Sequence, residues 1–184
     1  MHRSTAELAA GVDDVRGSPS DAGRLELIVA RPDLLQRAVL EEGRLDPALG
    51  LEGDTWSVRP SKRTPDGSPH PDMQLNVMNA RAAALFAVTP DRWALAGDQL
   101  YVDLDLTPEN LPAGTRLQLG SAVIEVTDQP HNGCPKFVER FGADALRFVM
   151  SPVGKELRLR GINARVVTAG TVRRGDTVTK VVGR

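Results

Sequence analysis

Residues 4–15 place Leu8 and Val12 on one side of a short amphipathic helix, with Ser4 or Thr5 positioned to cap it. The loop sequence GSPSDAG at 17–23 then interrupts the pattern, which sets residues 1–23 apart as a peripheral, mobile segment ahead of a domain at 24–184. LELIVA at 25–30 is the first strong strand, stopped by Arg31-Pro32. Residues 34–44 are ambiguous between helix and strand, and their second half is read as strand. GLEGDTW at 50–56 is a turn. Residues 59–72 hold four of the thirteen prolines, the mark of a long surface loop, and such loops are often functional. MQLNVM at 73–78 alternates as a strand does, and Asn79 is placed to cap an alanine-rich helix over 80–87. YVDLDL at 101–106 alternates with Asp103 and Asp105 on one solvated face. Residues 117–119 and 122–127, joined by Gly120-Ser121, predict a hairpin. Further strands are predicted at 164–168 and 177–182, around a turn at Arg174-Gly175-Asp176.

The strands are short, numerous and separated by glycine-rich turns, with no βαβ rhythm. That pattern predicts a mainly β fold, a closed β-barrel with a few short helices, because closure hides sheet edges. A chain of 184 residues with 41% apolar and 26% charged positions fits one globular domain. Aromatic residues make up only 4%, so Val, Leu, Ile and Ala must build most of the core. The net charge of −1 excludes sequence-independent nucleic-acid binding. Local basic groups, Arg158, Arg160 and Arg165 and the pair Arg173-Arg174, suit a small anionic ligand better. No apolar run reaches the length of a membrane span, and the first residues lack a signal peptide's apolar stretch. With a single cysteine and no internal disulfide, a cytoplasmic location is expected.

The chemistry gathers in AVIEVTDQPHNGCPKFVERF at 122–141. A strand ends near Thr127, a polar turn follows, and Cys134-Pro135 opens a helix that Gly142 ends. A thiol at a helix N-terminus, with His131, Lys136 and Arg140 close in sequence, is biased towards thiolate. Thiolate attacks sulfur, carries a persulfide or binds a soft metal. Gly133 is expected to let a ligand approach the backbone. The alternative is an inert buried thiol. His70 and His131 with one cysteine make no zinc signature, and neither a phosphate-loop motif nor a nucleophile elbow is present.

A series of motifs then resembles the MOSC domain, named after the C-terminal domain of molybdenum cofactor sulfurases. GLEGDTW at 50–56, MQLNVMN at 73–79, LTPENLP at 106–112, LQLGSAVIEVT at 117–127, PHNGCPKF at 130–137 and RGINARVVTAGTVRRGDTV at 160–178 follow in the family's order. The resemblance runs from Leu25 to Val182 and implies a barrel akin to that of pyruvate kinase. It also implies that Cys134 carries sulfane sulfur or ligates the molybdenum of a molybdopterin cofactor. Basic residues such as Arg81 and Arg160 are then expected to meet the pterin phosphate, with Asn79, Asn110 and Gly133 as further pocket residues.

Three functions follow as expectations. The first is a cysteine-dependent molybdenum-cofactor or sulfur-carrier domain, served by a partner desulfurase that would bring any pyridoxal phosphate. The second is a reductase of N-hydroxylated compounds, with Cys134 as metal ligand and a separate electron-transfer partner, since the chain has no flavin or iron–sulfur motif. The third is a non-catalytic barrel that binds small molecules.

Overall fold

The computed structural model describes residues 2–181, so Val182, the expected end of the last strand, lies outside the described residues. Helix α1 (Thr5–Arg16) precedes strands β1 (Gly23–Ala30), β2 (Ala38–Leu40), β3 (Glu42–Asp46), β4 (Gly50–Leu51) and β5 (Leu75–Asn79). Helix α2 (Ala80–Ala87) follows, then β6 (Leu100–Asp103), β7 (Arg116–Leu119) and β8 (Ala122–Val126). Three consecutive helices, α3 (Pro135–Phe141), α4 (Ala143–Met150) and α5 (Pro152–Glu156), lead into β9 (Ile162–Thr168), β10 (Gly170–Arg173) and β11 (Thr177–Lys180).

Seven strands close a barrel in the order β11-β7-β8-β9-β5-β6-β1, and β1 pairs back onto β11 through Gly23–Val178 and Arg24–Thr177. Closure leaves no open edge in the ring, as expected. Strand β2 extends the sheet from the far end of β1, and β10, β3 and β4 form a small second sheet. Every ring pairing is antiparallel except β5 with β6. A parallel pair needs a crossover. Helix α2 and the 3-10 turn Pro90–Ala96 supply it, so the chain holds one βαβ unit that the sequence pattern did not disclose.

Two packed layers result. Leu25, Ile28, Val77, Leu100, Val102, Ile124 and Val178 fill the barrel. Their neighbours Leu27, Val29, Met78 and Tyr101 point to a second cluster, shared with α1 to α4. Strands β1, β5 and β6 are therefore buried on both faces, with helices over the outer one. All four phenylalanines, Phe86, Phe137, Phe141 and Phe148, lie in that helical layer. Aliphatic side chains build the barrel interior, as the scarcity of aromatics required.

Two expectations change. Residues 5–16 are not a peripheral leader: Ser4 and Glu7 form a capping box, and Leu8, Val12 and Val15 are buried in the helical layer. Asp103 is not on a solvated face but accepts two hydrogen bonds from Arg81. Replacing Leu8 with Ala should cost about 2–5 kcal/mol, the range for a truncated core leucine, as read by urea unfolding. An unchanged midpoint would return α1 to the periphery.

Candidate functional site

The site is built at one rim of the barrel, where β1 and β8 end and β6 and β9 begin. Two buried arginine–carboxylate pairs stand there. Arg31, just beyond β1, donates from Nε and Nη2 to the two oxygens of Asp54 at 2.7 and 2.9 Å. Its Nη1 reaches Asn76 Oδ1 and the Gly97 carbonyl, both at 3.1 Å. Arg160, just before β9, donates from Nη1 to both oxygens of Asp98 at 3.0 and 2.7 Å, and from Nη2 to the Ala96 carbonyl at 3.0 Å. Burial pushes the Asp98 carboxyl up, and the Arg160 charge and hydrogen bonds oppose that shift.

The loop after β8 enters α3 at Cys134. The cysteine takes the extended N-cap conformation, and the Phe137 amide donates to its carbonyl at 2.8 Å. Its thiol is exposed and makes no capping hydrogen bond. Beneath the first turn, Phe137 lies edge-on to Phe86 with centroids 5.6 Å apart, and the Arg160 guanidinium sits 5.3 Å from the Phe137 ring centre. The Asp98–Arg160 pair therefore braces the helix that presents the thiol.

The three expected supporters of a thiolate behave differently. Lys136 is exposed in the first turn of α3. Arg140 donates to the Leu95 carbonyl at 2.6 Å, so its charge is directed to the crossover turn. His131 is buried, and burial together with Arg160 and Arg31 holds its imidazole well below the usual value. It is neutral at neutral pH and brings no positive charge to Cys134, which corrects that expectation.

His131 instead lines a cavity of about 340 Å³ with Gln129, Asn132, Lys155, Arg158 and Arg160. Its Nδ1 stands 3.5 Å from Asp98 Oδ1 without making a hydrogen bond, and Arg160 Nε also lacks a partner among the described residues. Gly161 permits this crowding. It has φ +101, and a Cβ there would fall 2.3 Å from the Val77 carbonyl oxygen. Cys134 follows the lining residue Asn132 by two positions.

The remaining candidates are not brought to this cavity. Asn79 caps α2 by accepting from the Arg81 and Ala82 amides, and its Nδ2 donates to Ser18 Oγ and the Leu104 carbonyl. Arg81 is paired with Asp103. Asn110 donates to the Ser20 and Asp105 carbonyls and accepts from Lys180 Nζ. A Cβ on Gly133 would meet Leu146 Cδ1 at 2.3 Å, so the close neighbour there is a leucine of α4 rather than a ligand.

A second cavity, of about 300 Å³, lies on the other side of Asn76 and is lined by Arg31, Trp56, Arg59, Lys62, Arg63 and His70. None of these residues was among the pocket residues expected from the sequence, and His70 entered there only as part of an absent zinc signature. The basic run RPSKR at 59–63 was the available signal, hidden by its proline-rich loop. A hydrogen-bond chain joins the two cavities. Arg31 Nη1 donates to Asn76 Oδ1, Asn76 Nδ2 to Asn163 Oδ1 at 2.7 Å, and Asn163 Nδ2 to the Gln129 carbonyl at 3.1 Å.

A closed mixed barrel, one rim carrying buried ion pairs and an exposed cysteine at a helix start, defines the class of protein. The sequence model of the MOSC domain matches residues 72–179, more than half of the chain, and the chain belongs to that family. No curated protein matches it. Among solved structures, it is similar to the YuaD protein from Bacillus subtilis, with 17% identity over 89% of this chain and 97% of that one and a TM-score of 0.63. YiiM from Escherichia coli shares 23% identity over 88% of this chain and 71% of that one, with a TM-score of 0.56. YiiM from Geobacillus stearothermophilus shares 14% over 87% and 75%, with a TM-score of 0.57. These likenesses support the fold. Among the described residues no helix is long and apolar enough to cross a membrane.

The buried imidazole gives a pH dependence. Below about pH 6.5 an unfolded histidine takes up a proton, while folded His131 stays neutral. The unfolded state then binds more protons, so stability falls with falling pH, by at most about 1.4 kcal/mol per unit. Asp98, shifted upward, acts in the opposite sense at lower pH. Urea unfolding between about pH 7 and pH 5 should show this loss in the wild type and not in His131→Gln. Arg160→Leu, which strands the buried Asp98 carboxylate, should cost about 3–5 kcal/mol, measured the same way at neutral pH.

Proposed function

We propose that this protein handles a molybdenum cofactor or sulfane sulfur through Cys134. The observation that carries this reading is an exposed thiol, free of hydrogen bonds to its own helix, on the loop whose residues Gln129 to Asn132 line a cavity.

The residues fit a metal that arrives already chelated. A thiolate is one soft ligand. Among the described residues no three His, Cys, Asp or Glu side chains form a group able to hold a metal ion. The protein therefore offers one ligand and a cavity rather than a cage. Two buried nitrogens without partners, His131 Nδ1 and Arg160 Nε, stand beside that cavity. When bound, the pterin cofactor would supply a redox-active metal. Cys134 would hold it, Lys155 and Arg158 would face its anionic parts, and Val149 and Ile162 would limit water on the apolar side.

Sulfur carriage needs less. The Cys134 thiolate attacks the terminal sulfur of a donor persulfide. A new S–S bond forms on Cys134, the donor's S–S bond breaks, and its electron pair leaves with the donor thiolate. A partner desulfurase would generate that persulfide, and any pyridoxal phosphate would belong to the partner. A reductase role would require an electron-transfer partner in its place.

Intact mass and elemental analysis of anaerobically purified protein, beside Cys134→Ser, test the proposal. Molybdenum near one atom per chain, lost in the variant, supports the metal-ligand role. A gain of about one sulfur atom's mass on Cys134 after incubation with a desulfurase supports the carrier role. Neither result, with a thiol slow to alkylate at neutral pH, would overturn both.

A further inference from the structure

The second cavity holds more positive charge than its carboxylates neutralise. Arg31 is matched by Asp54. Arg59, Lys62 and Arg63 make no ion pair among the described residues, though all three line the cavity. Behind them Arg37, ahead of β2, and Arg140 of α3 add more charge next to the crossover turn. Arg31 Nη1 donates to the Gly97 carbonyl, and a Cβ on Gly97 would lie 3.3 Å from Arg37 Nη2 and 3.5 Å from Arg140 Nη1. Arg37 and Arg140 themselves bond only carbonyl oxygens, those of Ala94, Gln36 and Leu95.

Like charges gathered in this way repel. Loss of solvent, then Arg140 and Arg31, depress the Arg37 guanidinium, and loss of solvent with Arg31 does the same to Arg59. An anion among these groups would relieve the repulsion. Guanidinium groups match phosphate oxygens in bidentate fashion, Lys62 adds a mobile point charge, and Trp56 adds an aromatic residue to the lining. His70 is oriented by the backbone, its Nδ1 accepting from the Asp72 amide at 3.2 Å.

We propose that this second cavity is a binding site for a phosphate ester, separate from the cavity beside the cysteine loop. Arg59, Lys62 and Arg63 grip the phosphate, and Trp56 meets the organic part. The site does not depend on any role of Cys134. Its ligand is a phosphorylated metabolite, distinct from the pterin cofactor whose anionic parts Lys155 and Arg158 would face.

Calorimetric titration with pyrophosphate tests this on wild type, on an Arg59→Ala/Lys62→Ala double variant, and on Lys155→Ala at the other cavity. Arg59 and Lys62 are exposed and unpaired, so the double variant should fold, and its unliganded thermal midpoint checks that it has. Saturable binding is expected in wild type and in Lys155→Ala. Removal of two charge-assisted contacts should weaken it at least about tenfold in the double variant. No saturable binding by wild type, or equal binding by the double variant, would overturn the site. Cys134→Ser should bind pyrophosphate as wild type does, so failure of the cysteine chemistry and failure of this site remain distinguishable. Repeating the titration on cofactor-loaded protein checks the separation: undiminished binding is expected, and blocked binding would overturn it.

Discussion

The Asp98–Arg160 pair is the constraint on which the rest of the rim depends. A fully buried carboxylate is tolerable only with a partner that meets both of its oxygens, and Arg160 meets both. The pair spans two connections, the turn that leads into β6 and the one that leads into β9, so it fixes two barrel strands at once. The Arg160 guanidinium also lies over Phe137. One buried interaction thus sets the rim, the first turn of α3 and, through that turn, the direction of the Cys134 backbone. His131 completes the arrangement as a neutral ring against the same carboxylate.

The helical layer makes this arrangement stiff. Phe86, Phe137 and Phe141 pack ring against ring, and α1 covers the neighbouring helices with Leu8, Val12 and Val15. The few aromatic side chains are thus concentrated where the cysteine helix needs a floor. The barrel itself, which must fill a narrow interior from seven strands, uses branched aliphatics.

Much of the barrel was legible in the sequence because its strands announce themselves by alternation. LELIVA, MQLNVM, the hairpin at 117–127 and the alanine-rich helix behind Asn79 all fall where the pattern put them. The cysteine at a helix start was readable from Cys134-Pro135 and Gly142. Helices α4 and α5 were not, since ADALRFVM and PVGKE are short segments whose role comes from packing behind α3. The partners of the charged residues were hidden for a different reason. Arg81 and Arg160 read as ligands for an anion because sequence proximity cannot show that Asp103 and Asp98 already hold them. Arg59, Lys62 and Arg63, which make no ion pair among the described residues, sit in a proline-rich loop whose path is set by tertiary contacts rather than by periodicity.

The amide chain from Arg31 through Asn76 and Asn163 to the Gln129 carbonyl has a polarity. Each carboxamide receives on its oxygen and gives from its nitrogen, and the direction is imposed at one end by a guanidinium that can only donate. Turning either amide over would break the bonds on both of its sides. The wall between the two cavities is therefore a partition with a fixed sense, so that the two chambers present unlike faces of the same wall: one sees the cation at the head of the row, the other the carbonyl at its tail. A molecule in either chamber meets a surface whose orientation was settled in the other.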